Sequence, residues 1–536
     1  MPIEQRPLFA LLDDAAIGFP GTIATDFLGR TQTYRALADL VARAACGLQL
    51  LGVSKGSKVG LLLPNCPYYV VCFFAILKAG GTVVNYSPLD AEHQLLDRIE
   101  DSGTDILITL DAGPLLSKVT RIAGESRLRR VVVCSMADIL PFPKSILFRF
   151  FTAWRRRRNA MRLSFSDLVA NDGRYTPIAI DPDRDLAALQ FTGGTTGTPK
   201  GAALTHANLY ANAVQVAHWF TAAKPGEERI LAVLPLSHAF GVTGLMNLAV
   251  ALAGTLVLLP RFQPRAVLKT IQRTRATLFV GVPTIFKALT DDPRIGDFDL
   301  SSLRVCVSGG DVLPADIGER FEMLTGCALT EGYGLTECSP VVACNPFAGR
   351  RKRGSVGLPL PGTTVEILSA ADGRTVLPAD THGEICVSGP QVMQGYWNRP
   401  GETAAVLQQG RLHTGDIGYL DPDGYLHFVD RAKDVIVTGG YNVYPRYVEE
   451  AILRNPDVAE VAVIGVPDPH WGHSALAYIV RAVGADLSED ELRRFLKSRL
   501  SPFEIPDRIE FRDHLPKSAI GKPLRRALRP RSGSAT

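Results

Sequence analysis

The run FTGGTTGTPKG, from Phe191 to Gly201, is the stretch whose residue types point most directly to chemistry. Glycines let backbone N–H groups close around an anion, threonine hydroxyls add donors, and Lys200 adds a positive charge. Thr192, Gly193, Gly194, Thr195, Thr196, Gly197, Thr198 and Lys200 are therefore the candidate phosphate cradle. The spacing is not that of a Walker A loop, since a proline precedes the lysine and a glycine follows it. A plain surface turn would account for the glycines, but it would not need Pro199-Lys200-Gly201 after two Thr-Gly units.

A loop of this kind has to be held by a scaffold, and the chain is long enough to build one. Its 536 residues exceed what one hydrophobic core normally supports, so two to four domains or subdomains are expected. Residues 33–110 alternate helical patterns (34–51, 69–79, 91–102) with short apolar strands (58–63, 81–85, 106–109), which predicts βαβ units around a mainly parallel sheet. The pattern returns from Arg229, with strands at 255–259, 278–282 and 304–308 and a helix from Pro264, predicting a second α/β layer. Between Gly357 and Phe428 the short strands and Asp-Gly, Gly-Glu and Asn-Arg-Pro turns predict a small β-rich subdomain. After Asp430 mixed α and β returns: helices at 448–453 and 489–500, extended segments at 458–465 and 475–481. The fold class expected is α/β: a large N-terminal domain of two α/β sheet subdomains plus a small β-rich one, followed by a smaller α+β C-terminal domain.

Composition narrows the function. With 58 basic and 54 acidic residues the net charge is only +4, which argues against a nucleic-acid partner. The nine cysteines form no C-x-x-C pair and lie in apolar stretches, which suits reduced, buried thiols and argues against metal binding through cysteine. The amino terminus carries acidic residues where a signal peptide needs basic ones, so the cytoplasm is expected. Gly241–Pro260 is uncharged, yet its glycines make it read as a short buried helix and a strand rather than a membrane span. Residues 141–162 combine Ile146, Leu147, Phe148, Phe150, Phe151 and Trp154 with Arg155–Arg158, a pattern equally suited to an anionic membrane surface and to a solvated helix packed on the protein. A peripheral membrane contact there, at the inner face of the membrane, and a homodimeric state are both left open.

Six further segments follow the cradle: LPLSHAFG (234–241), VSGGDVLP (307–314), EGYGLTE (331–337), HTGDIG (413–418), DRAKDVIVTGGYNVYP (430–445) and PKSAIGKPLRR (516–526). In this order they resemble the acyl-adenylate-forming superfamily of acyl-CoA synthetases, peptide-synthetase adenylation domains and luciferases, over nearly the whole chain. The resemblance implies an N-terminal domain at 1–430, a hinge at 431–433 centred on Lys433, and a mobile C-terminal domain at 434–536. It also implies two half-reactions. A carboxylate attacks the α-phosphorus of ATP to give acyl-AMP and pyrophosphate, and a thiol, usually coenzyme A, then displaces AMP. A carboxylate facing a polyanion is a poor nucleophile, so the protein's part is charge neutralisation and positioning.

By the same resemblance, Thr192–Lys200 holds the β- and γ-phosphates, and Glu337, with Thr192, binds Mg2+. Thr336 donates to the α-phosphate, and Tyr333 stacks on adenine beside Gly309, Gly310, Asp311, Glu331 and Gly332. Asp416 accepts the ribose hydroxyls, with Arg431 as a second contact, and His238 orients the substrate carboxylate. Lys522 bridges that carboxylate and the α-phosphate, the alternative being a solvated charge in a basic tail. Gly439, Gly440 and Tyr441 line the coenzyme A tunnel after the domain swings. Two departures, Pro445-Arg446-Tyr447-Val448-Glu449 for Pro-x-Glu-Val-Glu and Trp471-Gly472-His473 for Trp-Gly-Glu, concern the C-terminal domain. The Thr-Gly-Gly form of the cradle and the apolar residues after His238 point to a medium- or long-chain fatty acid. An aryl-CoA ligase of cinnamate or benzoate type, a fatty acyl-AMP ligase loading a carrier protein, and a non-catalytic acyl or nucleotide binder are the alternatives.

Overall fold

The computed structural model describes residues 3–152, 161–192, 199–438, 441–468, 472–517 and 524–528, with the backbone alone at 149–152, 441, 442, 472 and 526. The chain divides into two compact units, one formed by Met1–Thr364 with Val387–Leu412, the other by Val365–Cys386 with His413–Thr536.

The first unit contains two sheets. One has eight strands in the spatial order Gly395–Tyr396, Lys200–Thr205, Leu186–Thr192, Thr82–Asn85, Lys58–Leu62, Ile106–Leu110, Arg130–Cys134 and Arg162–Ser164. The pairings from Leu186–Thr192 across to Arg130–Cys134 are parallel, as the βαβ alternation predicts, whereas Leu186–Thr192 and Lys200–Thr205 pair antiparallel. The helix Tyr34–Leu50 starts where Thr33 accepts the Ala36 N–H. The helix Pro67–Lys78 buries every residue from Tyr68 to Leu77, so it has no amphipathic stripe and belongs to the interior on all sides.

The second sheet has nine strands, with Arg229–Ala232, Leu278–Gly281, Val305–Gly309 and Leu329–Gly334 running parallel through its centre. The amino-terminal hairpin Ile23–Phe27 and Arg30–Thr33 completes one edge by pairing with Thr255–Leu258, a long-range partnership that local periodicity does not reveal. Gly241–Pro260 is a buried helical stretch, π-helical over Val242–Asn247, followed by the strand Thr255–Leu258. No helix among the described residues is long and apolar enough to cross a membrane.

In the second unit, short strands from the β-rich stretch, chiefly Gly383–Ser388, Arg411–Leu420 and Leu426–Arg431, build one sheet. A second sheet pairs Val458–Asp468 with Gly472–Arg481, flanked by Ile436–Thr438 and Arg508–Phe511. Helices Pro445–Leu453 and Glu489–Leu496 cover it through Val448, Ile452, Leu492 and Leu496, which share one core with Ile479 and Val463.

Candidate active site

The cradle is the loop of a β-hairpin. Leu186–Thr192 and Lys200–Thr205 pair antiparallel, and Thr192 faces Lys200 in the last register pair before the loop opens. That context explains the absent Walker spacing, because a Walker loop joins a strand to a helix. The loop residues Gly193, Gly194, Thr195, Thr196, Gly197 and Thr198 lie outside the described residues. Their two gateposts are described. Thr192 Oγ1 donates to the Lys200 carbonyl at 3.4 Å, and the Lys200 ammonium lies 5.1 Å from the centre of the Tyr396 ring and 3.8 Å from Glu402.

Tyr396 connects this gate to the proposed cation ligand. The strand Gly395–Tyr396 pairs with Ala202–Ala203, next to Lys200, and the Tyr396 hydroxyl donates to Glu337 Oε1 at 2.8 Å. Burial and the Glu337 carboxylate raise the phenol well above its ordinary value, so it stays a donor. With Oε1 accepting from Tyr396, the Oε2 of this half-buried carboxylate is the oxygen that would meet a cation, and a carboxylate oxygen fits a hard, oxygen-seeking ion. Tyr396 escaped the sequence reading, and its only local signal was the Gly-Tyr-Trp triplet ahead of the Asn-Arg-Pro turn.

His238 emerges at a topological switch point. The strand Arg229–Ala232 has Thr255–Leu258 on one side and Leu278–Gly281 on the other, so successive connections leave in opposite directions and open a crevice at its carboxyl end. Side chains from the other sheet fix the loop that follows. Asn65 donates to the carbonyls of Ala232 and Leu234 and accepts the Leu236 N–H, while Gln190 donates to the Ser237 carbonyl at 2.7 Å. Gln190 is itself held by Asn85, and Asn85 by the Tyr69 hydroxyl, all buried. The loop therefore presents His238 at the surface with its Nδ1 accepting the Phe240 N–H.

The motifs at 307–314 and 331–337 end side by side. Gly309 pairs with Gly332 and Ser308 with Glu331, so both motifs leave their strands at one level. Glu331 Oε2 accepts the Leu313 N–H, tying one motif to the other, and Gly310 turns the chain at φ +80° with Asp311 exposed beyond it. Gly309 has a packing reason for being glycine: a Cβ there would stand 2.9 Å from the Phe240 ring. Tyr333 is buried and Thr336 opens the short 3-10 turn that carries Glu337.

The second unit holds the other candidates. Asp416 and Arg431 are register partners on adjacent strands, with Arg431 Nε 3.4 Å from Asp416 Oδ1. Thr414 fixes the approach by accepting the Asp416 N–H and donating to the Ile385 carbonyl. Lys433 is exposed within the turn Ala432–Asp434. Gly439, Gly440 and Lys522 lie outside the described residues, and Tyr441 is described by its backbone alone.

Arg525, three residues beyond Lys522, is anchored rather than solvated. It reaches Glu449 at 2.6 Å, Asp430 at 3.2 Å and Asp434 at 3.5 Å. Burial pushes Glu449 up to about 7 even though Arg525 opposes the shift. The first departure from the family pattern is absorbed here too: the Arg446 N–H meets Asp430, its guanidinium meets the Phe428 carbonyl, and Glu449 keeps the acidic position.

A family model described as AMP-binding enzyme matches residues 12–397, and one described as AMP-binding enzyme C-terminal domain matches 447–522. The chain is 41% identical over 540 residues to a long-chain-fatty-acid–CoA ligase of Bacillus subtilis, covering 98% of this chain and 95% of that one. It is 37% identical to a feruloyl-CoA synthase of Amycolatopsis, covering 96% of each. Among solved structures, ATP-bound MatB from Rhodopseudomonas palustris superposes with a TM-score of 0.86 at 30% identity, over 98% of both chains.

Proposed function

Because the chain belongs to the AMP-binding enzyme family, we propose that it is an ATP-dependent ligase that activates a long-chain fatty acid as acyl-AMP and transfers it to coenzyme A. The observation that carries the chemistry is the cluster in which one side chain, Tyr396, joins Lys200 at the phosphate hairpin to Glu337. The chain length of the substrate is supported by the Bacillus relative's name and by the largely apolar, mostly buried segment after His238.

In this reading Lys200 and the hairpin loop take the β- and γ-phosphates, and Thr336 donates to the α-phosphate. Glu337 and Thr192 would hold Mg2+, which would supply charge neutralisation for the phosphates. Asp416, with Arg431 beside it, accepts the ribose hydroxyls, and Tyr333 with the 309–311 and 331–332 backbone receives adenine. His238 orients the acid's carboxylate, and Lys522 neutralises that carboxylate together with the α-phosphate as the new P–O bond forms and pyrophosphate leaves. Turning at Lys433 then brings Gly439, Gly440 and Tyr441 to the incoming thiol, which releases AMP. In domain terms, residues 1–430 form the adenylate-forming domain, and 434–536 supply Lys522 to the first step and Gly439, Gly440 and Tyr441 to the second.

The fatty acid reaches the enzyme from a membrane in this account. The helix Lys144–Thr152 and the turn before it expose Phe142, Ile146 and Leu147 at 79%, 46% and 58%, next in sequence to Arg155–Arg158. Apolar groups beside clustered cations suit an anionic lipid surface.

Pyrophosphate release with palmitate, measured with and without coenzyme A, tests the proposal. Release accompanied by palmitoyl-CoA supports it. Release without thioester would make the protein an AMP ligase, and no release with any acid would make it a binder.

A further inference from the structure

We propose that Glu384, Cys386 and His413 form a binding site for one thiophilic divalent cation such as Zn2+, and that its occupation weakens nucleotide binding. The second clause rests on the reading of Asp416 as the ribose ligand. Glu384 and Cys386 stand two residues apart on the strand Gly383–Ser388 and so point to the same face of the sheet. His413 enters that face from the strand Arg411–Leu420. Its Nδ1 lies 2.8 Å from Glu384 Oε2 and 3.5 Å from Cys386 Sγ, and the three ligand atoms all fall within 4.8 Å of one another.

A tetrahedral ion with bonds of roughly 2.0–2.3 Å spaces its ligand atoms about 3.3–3.8 Å apart. The sulfur–nitrogen edge already has that length, and the carboxylate–imidazole edge has to open by less than about 1 Å. The surroundings suit an ion. Cys386 is 1% exposed, while the side chains of His413 and Glu384 keep 12% and 20%, so water is thinned but an entry side persists. Glu384 Oε1 is fixed by the Gly415 N–H at 3.0 Å, which aims Oε2 at the other two ligands. Gly373 lies against the His413 ring edge and brings no side chain over it.

A His–Glu pair alone would suffice to orient the strand. The thiol adds what orientation does not require, a soft donor that turns a hydrogen-bonded pair into a sulfur, nitrogen and oxygen set. Such a set favours Zn2+ or Co2+ over Mg2+, which prefers oxygen ligands, so the cation of the main reaction does not compete. On binding, the Cys386 thiol loses its proton to solvent, the His413 proton resides on Nε2 so that Nδ1 ligates, Glu384 enters as carboxylate, and water takes the fourth position. The absence of a C-x-x-C pair argues against metal binding through cysteine, and this site departs from that expectation because a second strand supplies the histidine 27 positions later.

The coupling follows from the chain. Asp416 lies just beyond His413 on the same strand, and the Gly415 N–H before it is held by the carboxylate whose Oε2 has to draw back from the imidazole to admit the ion.

The test uses the full-length protein, stripped with chelator, in buffer containing Mg2+. One equivalent of Co2+ is expected to produce a near-ultraviolet thiolate-to-cobalt band and intense tetrahedral visible bands, releasing a proton, with Zn2+ bleaching both. Cys386→Ala, whose fold is checked by its melting curve, is expected to lose the charge-transfer band. A missing band in the wild type, or a band that persists in C386A, overturns the site. Zn2+ is further expected to raise the Kd for AMP at least about fivefold in the wild type and not in C386A. A full cobalt signal with an unchanged AMP affinity overturns the coupling. An Asp416→Ala variant with normal AMP affinity overturns the ribose reading instead, and the spectra still decide the site.

Discussion

The loop that carries His238 in the first unit and the segment 428–449 in the second are both fixed by buried polar groups, but by opposite means. The first is held by neutral amides and a phenol: Tyr69, Asn85, Gln190 and Asn65 pass hydrogen bonds from one strand end to the next. The second is held by charges, with Arg525 shared among Glu449, Asp430 and Asp434 and with Arg446 set against Asp430. Neutral groups are cheaper to desolvate and create little field of their own. In the same unit, among the described residues, the charged groups Lys200 and Glu337 meet the ring and phenol of Tyr396 and, for Lys200, a loose 3.8 Å partner in Glu402, the arrangement expected where a polyanion and a cation are to bind. In the Arg525 cluster the charges satisfy one another, which suits holding a segment in place more than meeting a ligand.

The largest expected effect comes from breaking the charged cluster. Arg525→Ala leaves Glu449 and Asp430 buried without their cation and should cost about 3–5 kcal/mol in urea denaturation. A carboxyl raised in the folded state stabilises below its unfolded value and loses that contribution as pH rises through the folded one. The R525A deficit should therefore be larger at pH 8 than at pH 5, since Glu449, at about 7 even with Arg525 present, can protonate at the lower pH. An unchanged midpoint would mean the cluster is solvated.

Next in size, Lys522→Ala should lower acyl-adenylate formation about 100- to 1,000-fold while leaving thioester formation from supplied acyl-AMP within a few-fold. Equal losses in both half-reactions would remove its assigned role. Tyr396→Phe deletes one hydrogen bond to a carboxylate and should lower kcat/KM about tenfold, with a higher Mg2+ requirement. A mutant with normal Mg2+ dependence would separate Glu337 from the cation.

Neutral burial in the first unit is tested directly by pH. Burial lowers His206 to about 4 from 6.5, and its Nδ1 accepts the Leu8 N–H. A depressed histidine stabilises above its unfolded value and loses that contribution as pH falls, here by about 2 kcal/mol between about pH 7 and 5. His206→Asn, which keeps an acceptor, should flatten that part of the stability profile; an identical slope would show that His206 is not its source.

The sequence carried the elements well where periodicity was strong. The helices predicted at 34–51 and 91–102 are Tyr34–Leu50 and Glu92–Ser102, and strands 58–63 and 255–259 end one residue early. It did not carry the partnerships made at a distance: the edge pairing of Ile23–Phe27, the seat of Gly395–Tyr396 beside Lys200, or the relay through Asn65 and Gln190. Those depend on which strand ends meet, and no local pattern encodes that. The same limit explains why Tyr396 stood out in no motif, and why Arg525, although inside the quoted segment 516–526, read as part of a basic tail and not as the partner of Glu449.

A long-chain-fatty-acid–CoA ligase and a feruloyl-CoA synthase resemble the chain at 41% and 37% identity, so the choice between an alkyl and an aryl acid is the central point to measure. The direct measurement is kcat/KM for palmitate and for ferulate, each with ATP, Mg2+ and coenzyme A, followed as thioester formed. A ratio of about 100 or more in favour of palmitate is predicted, the scale of discrimination a hydrophobic pocket achieves. A ratio favouring ferulate would contradict it.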